Sequence, residues 1–369
     1  MKNHHQSIVE YLAERFKFLD LLKGYAVIMM IQGHTISAVL VPEAKETAFY
    51  QFLHILRGLT APAFLIASGC GLAFSISRKR EANPLKVLLY RMMKIFPILV
   101  IGYFLHLPRF SLYQLLTQSS RQEIIQFFQC DILQTIGWSV IILQIFLTFI
   151  RDRRLIIFFT ITGLLSVLYF TPQVNNWVSS PNFFTQLLTP NFGSNFPLFP
   201  FSAYLLLGFF FGLEFYELQK RTGIKNINRA IFVIGLVFFS ASFFIKNSNF
   251  SLFLFRTGSL ILFMSLFLTF ERVKNRIVSF FVVIGQESLL IYFVHLIIVY
   301  GSALNKGFIH YWKENLNTEL SIVLANALIV VMLGMGYLWH SLKEENPVAC
   351  RVLRNCLSAL LFVKFLTNW

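Results

Sequence analysis

The stretch LDLLKGYAVIMMIQGHTIS, residues 19–37, decides the fold. Asp20 and Lys23 open it, ten mostly apolar residues follow Lys23, and then comes His34. At ~1.5 Å per residue, His34 lies ~16 Å beyond Lys23. That is near the middle of a ~30 Å hydrocarbon core. Eleven residues is about three helical turns, so Lys23 and His34 share a face, with Asp20 one turn below. The expected result is a polar seam from the membrane surface to the midplane. An ionised side chain at that depth costs at least ~2.5 kcal/mol, which makes His34 a functional candidate.

The rest of the chain has the same character. Of 369 residues, 56% are hydrophobic and 13% charged, against about a quarter charged in soluble domains; the mean hydropathy is +0.65. The apolar runs are continuous rather than alternating, which points to helices and away from a β-barrel. The fold class is therefore an all-α polytopic membrane protein. About ten transmembrane helices are expected, at 22–41, 51–77, 86–107, 131–150, 155–171, 197–215, 230–246, 251–270, 278–302 and 320–341. An apolar helix at 355–368 is too short to span comfortably. The chain reads as one domain, 1–369. It comprises a cytoplasmic N-terminal segment 1–21, the bundle 22–341 and a C-terminal segment 342–369. No cleavable signal peptide is expected.

The net charge of +15 would suggest nucleic acid in a soluble protein. Here the basic residues follow the loops. With the N-terminus in the cytoplasm, 22 of the 32 Lys and Arg fall on inner segments and eight on outer ones. This is the positive-inside pattern, and no nucleic-acid partner is expected. Cys70, Cys130, Cys350 and Cys356 show no CxxC or metal-ligand spacing, so neither a disulfide framework nor a metal is expected. The outer segment TPQVNNWVSSPNFFTQLLTPNFGSNF, 171–196, has no charged residue. It reads either as an interfacial aromatic loop or as a cap over an extracytoplasmic site for a hydroxyl-rich ligand, with Trp177 among the binding candidates.

Polar residues on other spans fall near the depth of His34. Ser68 lies ten residues from Arg78, and Glu287 and Ser288 lie eleven and twelve past Arg276, each ~15–18 Å along a helix. Ser288, Tyr292 and His295 recur on one helix face. Further out are His54 with Arg57, and Asp131 with Gln134. Each alone also suits helix–helix hydrogen bonding; together they suggest chemistry. A buried imidazole can serve as a general base, and Asp131 or Glu287 could orient it. Cations at the inner mouth suit a phosphate-bearing donor. A donor inside, an acceptor outside and a base between them is the geometry of acyl transfer across a membrane. No Walker, GxSxG or HExxH motif is present.

These residues also carry a resemblance. RFKFLDLLKGYAVIMMIQGH (15–34) is similar to the first span of bacterial membrane proteins related to heparan-alpha-glucosaminide N-acetyltransferase, with Lys23 in place of an Arg. LRGLTAPAFLIASG (56–69), CDILQTIGWSV (130–140) and FPLFPFSAYLLLGFFFG (196–212) resemble later segments of that family. IGQESLLIYFVH (284–295) resembles a late span of the wider transmembrane acyltransferase superfamily, with Gln286 where Arg is common. The resemblance implies transfer of an acyl group, the acetyl of acetyl-CoA or the acyl of another acyl-CoA, to a hydroxyl or amine of an extracytoplasmic glycan or glycolipid. It maps the family's intramembrane histidine to His34, its aspartate to Asp131 and its second-span polar residue to Arg57.

The combined expectation is a multi-pass acyltransferase of the bacterial inner or plasma membrane, in contact with membrane lipid. His34, Asp131 and Glu287 are the catalytic candidates. Arg15, Asp20, Lys23, Ser68, Arg78, Lys79, Arg80 and Ser288 are the candidates for holding the acyl-CoA. His54, Arg57, Gln134, Trp177, Tyr292 and His295 are the candidates for the acceptor. No metal is expected, and a homodimer is compatible with the sequence but not specified by it. The rival readings are a transporter or flippase for a polar lipid or glycan, and a non-catalytic membrane scaffold.

Overall fold

The computed structural model describes residues 16–78, 84–177, 180–222 and 224–368. Among them the helices are α1 (Lys17–Val39), α2 (Ala48–Arg57), α3 (Thr60–Arg78), α4 (Pro84–Leu105), α5 (Leu112–Thr117), α6 (Arg121–Phe127), α7 (Ile132–Phe149), α8 (Arg153–Trp177) and α9 (Phe183–Leu188). They continue as α10 (Leu198–Thr222), α11 (Ile224–Ala241), α12 (Ser248–Thr269), α13 (Arg276–Gln286), α14 (Ser288–Val299), α15 (Phe308–Trp312), α16 (Thr318–Glu345) and α17 (Pro347–Thr367). A two-stranded turn pairs Gly301–Ser302 with Asn305–Lys306. The protein is an all-α polytopic membrane protein.

Among the described residues, seven helices are long and apolar enough to cross a membrane, or eight if the bent pair α13–α14 is one span. Two of the ten expected spans are not among them, and the expected 51–77 run counts as one span, Ala48–Ile76, although it divides into α2 and α3 around Gly58 and Leu59. α1 falls short on composition, because Lys23, Gln32 and His34 interrupt it. The 230–246 run lies in a shorter apolar helix ending at Ala241. One end of the bundle carries the turns at 40–47, 106–131, 180–197 and 300–317, called here the loop end. The other is called the basic end.

α1 is central. It packs against α2, α3, α12, α13, α14, α15 and α16, with Phe18, Leu22, Ala26, Val27 and Ile31 fully buried. Helix N-termini leave amides unsatisfied. Here the amides of Lys17 and Phe18 donate to the Glu271 carboxylate at 3.1 and 3.0 Å, a charge the helix dipole also favours. A Cβ on Gly285 would lie 1.8 Å from the Asp20 carbonyl oxygen. Only a glycine lets α13 approach α1 that closely.

Two expectations need correction. The 278–302 segment is not one continuous helix. It bends by 68° at Glu287, whose φ and ψ of −93° and 15° interrupt the helical course. Depth counted from Arg276 therefore does not carry through to Glu287 and Ser288. The second concerns the length of the apolar segment at 355–368: its residues up to Thr367 are the latter part of the 21-residue helix α17, which is not among the helices long and apolar enough to cross a membrane. At ~1.5 Å per residue that helix is long enough to run the length of the bundle. Asn346 caps its start at the basic end, and beyond its last turn the Asn368 amide donates to the Phe110 carbonyl at 2.9 Å at the loop end.

Candidate active site

A cavity of about 730 Å³ opens at the loop end, with His34, Arg57, His106, Asp131, Tyr292 and Tyr300 in its wall. His34 reaches it from within α1. Its Nδ1 lies 2.8 Å from the Tyr300 hydroxyl, and the two rings meet edge to face with centroids 5.3 Å apart. Behind His34 the ring of His295 lies 5.5 Å away. His295 is fully buried, and its Nδ1 donates to the Ile291 carbonyl at 2.9 Å. Tyr292 packs on His295 at 5.7 Å. Ser288, Tyr292 and His295 do share α14, as the spacing predicts; Ser288 is its first residue and does not line the cavity.

Arg57 ends α2 and lies across α1. Its guanidinium donates to the Gly33 carbonyl at 3.1 Å and to the Ser37 hydroxyl, and its Cζ lies 5.7 Å from the Tyr50 ring centre. A Cβ on Gly33 would lie 2.1 Å from Arg57 Cδ. The glycine before His34 therefore makes room for the arginine beside it. His54, one turn earlier on α2, also lines the cavity.

Asp131 lies on the same cavity wall but does not hydrogen-bond His34. One carboxylate oxygen accepts from His106 Nε2 at 2.9 Å and the other from the Asn195 amide at 2.9 Å. Local sequence builds this arrangement. Asp131 is the N-cap of α7, and the Gln134 side chain returns to the Asp131 amide at 3.3 Å. The segment bearing Asn195 is stitched beside it. Ser194 Oγ accepts from the Cys130 amide at 2.9 Å, and the Phe196 amide donates to the Cys130 carbonyl at 3.0 Å. Asn195 and Phe196 thus join the cavity wall, while α8 runs on to Trp177, further than the span expected to end at 171.

The structure separates several residues that the sequence grouped. Glu287 is buried at the bend, away from the cavity, where its carboxylate pairs with His340 at 2.9 Å and with Lys343. Gln134 is fully buried and serves the α7 cap instead of the cavity. Ser68 is half-buried on α3, outside the cavity wall. Asp20 and Lys23 pair at 2.6 Å, and Gln286 donates to Asp20 at 3.4 Å. The two residues that depart from the family pattern, Lys23 and Gln286, thus meet on one carboxylate. The seam to His34 is not continuous, because Val27 and Met30 occupy the intervening turns of the shared face and are buried; Met30 lines the cavity beside His34. Arg15, Lys79 and Arg80 lie outside the described residues, as do the side chains of Arg78 and Trp177.

Sequence reading missed His106, Asn195, Arg256 and Tyr300, all in the cavity wall. His106 and Tyr300 stand at the ends of apolar runs, where polar residues are ordinary. Asn195 carried a signal only through the cap reading of its loop.

Residues 15–245, more than half of the chain, match the family described as heparan-alpha-glucosaminide N-acetyltransferase, catalytic. No curated protein matches the chain. With the matched region spanning α1 through α11 and supplying His34, Arg57, His106, Asp131 and Asn195, the chain belongs to the heparan-alpha-glucosaminide N-acetyltransferase catalytic family of membrane enzymes.

Proposed function

We propose that this protein moves an acyl group, acetyl by the family's chemistry, from a cytoplasmic acyl-CoA to a hydroxyl or amine of an extracytoplasmic glycan or glycolipid. A bacterial inner or plasma membrane is the setting this requires. The observation that carries the reading is His34, projecting from the central helix into a polar cavity that opens at the loop end. If Nδ1 carries the proton and donates it to Tyr300 Oη, Nε2 is left with a lone pair. That nitrogen can take a proton or accept the acyl group itself.

At the basic end, Lys23 is held by the buried Asp20 carboxylate, ~16 Å along α1 from His34. A cation fixed there suits the phosphates of a CoA ester, whose long thin arm is the kind of group that could reach past Met30. Lys23 is a point charge without the two-pronged grip of Arg. Arg57 and His54, on the cavity wall, suit the acceptor's oxygen atoms.

The test is release of free CoA thiol from acetyl-CoA by purified protein in detergent, with acceptor present. His34→Ala should lose nearly all turnover, and near-wild-type turnover would sink the assignment. The transporter reading gains one specific observation, the helix broken between α13 and α14, a feature of membrane binding sites in carriers. Binding and turnover of acetyl-CoA separate the two readings, since a carrier shows neither.

A further inference from the structure

We propose that His106, held by Asp131, is the base that takes the acceptor's proton, and that the acceptor reaches it through a second cavity at the loop end. The inference rests on the acyltransferase reading and assigns a residue that reading does not use.

The first support is the direction of the hydrogen bonds. A carboxylate only accepts, so His106 Nε2 is the protonated nitrogen in its 2.9 Å contact with Asp131. In the neutral ring the lone pair is then on Nδ1. Asn195 holds the other Asp131 oxygen at 2.9 Å, so the carboxylate is fixed from two sides. A carboxylate that fixes the tautomer of an imidazole is the arrangement that makes a histidine an effective base. His34 has no such carboxylate partner; its Nδ1 meets the Tyr300 hydroxyl instead.

The second support is position. His34 lies within α1, whereas His106 follows the last turn of α4. A second cavity of about 630 Å³, walled in part by Gln126, Gln129, Asn305, Lys306 and Lys313, also includes His106 and Tyr300. His106 and Tyr300 thus line both spaces. A hydroxyl-rich molecule held by those amides and ammonium groups must present its reacting atom between His106 and Tyr300 to reach His34.

The chemistry also calls for two bases. If the acyl group is parked on His34, that nitrogen is occupied and cannot deprotonate the acceptor. The acceptor's oxygen or nitrogen forms the new bond to the acyl carbon, and its proton moves to His106 Nδ1. The bond from the acyl carbon to His34 nitrogen, or to the thioester sulfur in direct transfer, breaks with its electron pair. The imidazole leaves neutral, because its Nδ1 keeps its proton, whereas a departing thiolate takes one from solvent; His106 returns its own proton to solvent through the second cavity.

The experiment compares two nucleophiles with acetyl-CoA as donor. D-glucosamine needs a base to take the proton it sheds on attack; hydroxylamine, uncharged near neutral pH, attacks without one and releases its proton to solvent afterwards. H106Q should lose about 10²–10⁴-fold of transfer to glucosamine while its transfer to hydroxylamine stays within about threefold of wild type. D131N, which preserves a good N-cap for α7, should show the same split, because the amide disturbs the His106 tautomer. H106Q matching wild type on glucosamine, or losing both reactions equally, overturns the inference alone. A wild-type chain that turns over acetyl-CoA with neither nucleophile overturns the acyltransferase reading beneath it, and this inference with it.

Discussion

The Nδ1 atom of His34 and the hydroxyl of Tyr300 are 2.8 Å apart, although 266 residues separate them in sequence. The contact joins the central helix to the residue that follows the last turn of α14, where the chain turns into the short strand pair. It gives the imidazole one fixed partner. For Nε2 to act as base or nucleophile, Nδ1–H must donate to Tyr300 Oη. Tyr300 then sets which nitrogen faces the substrate, as carboxylates and carbonyls do for other working histidines.

Tyr300→Phe removes that partner and keeps the ring. A neutral hydrogen bond contributes about 0.5–1.5 kcal/mol, so turnover should fall about tenfold at most. The Michaelis constant for acetyl-CoA should stay unchanged, because the loss is in orienting His34 and not in holding the donor. Steady-state kinetics with varied acetyl-CoA check this. Wild-type turnover in Y300F would show that Tyr300 does not orient His34.

The His34 side of this pair was legible in the sequence and the Tyr300 side was not, for a physical reason. An imidazole inside an apolar run costs free energy unless something offsets it, so His34 stands out against its neighbours. Tyrosine at the end of a span is common at membrane interfaces, and Tyr300 raises no such flag. Asp131 was visible as a charge at a helix start. Its partners His106 and Asn195 come from a different helix end and from a loop, and hydrogen-bond pairing across such distances leaves no periodic trace. Periodicity does place Tyr292 and His295 on one face, yet it is blind to a bend. The break at Glu287 arises where Gln286 turns to Asp20 and Glu287 to His340 and Lys343, contacts made with other helices.

Gly33→Ala tests whether Arg57 belongs to the site. The added methyl would fall 2.1 Å from Arg57 Cδ, so the arginine must leave the Gly33 carbonyl and the Ser37 hydroxyl. Hydrogen bonds from charged groups contribute about 1.5–3 kcal/mol each. The Michaelis constant for the acceptor should rise about tenfold or more, with that for acetyl-CoA nearly unchanged. An acceptor constant that does not move would remove Arg57 from the acceptor's site.

Lys23→Ala tests the basic end. Asp20 is almost fully buried and holds Lys23 at 2.6 Å with about a fifth of the lysine side chain exposed. If this cation meets donor phosphate in ground state and transition state alike, its loss weakens binding without slowing chemistry. The Michaelis constant for acetyl-CoA should rise about tenfold, with turnover at saturation near wild type. Unchanged affinity, measured by titration of acetyl-CoA against the purified variant, would place the donor elsewhere.

Glu287→Gln separates a structural carboxylate from a catalytic one. Glu287 is 6% exposed and meets His340 and Lys343 at the point where α13 gives way to α14. Its carboxylate balances the lysine charge in a place with little water. Removing one partner of a buried pair costs about 3–5 kcal/mol; Lys343 is nearly half exposed, so the loss here should be smaller, about 1–3 kcal/mol. Thermal unfolding in detergent should therefore shift down by several degrees. The folded fraction should still transfer acyl groups within about threefold of wild type, because Glu287 does not line the His34 cavity. The opposite pattern, an unchanged melting temperature with lost turnover, would return Glu287 to the catalytic machinery and require the bend at residue 287 to straighten during the reaction.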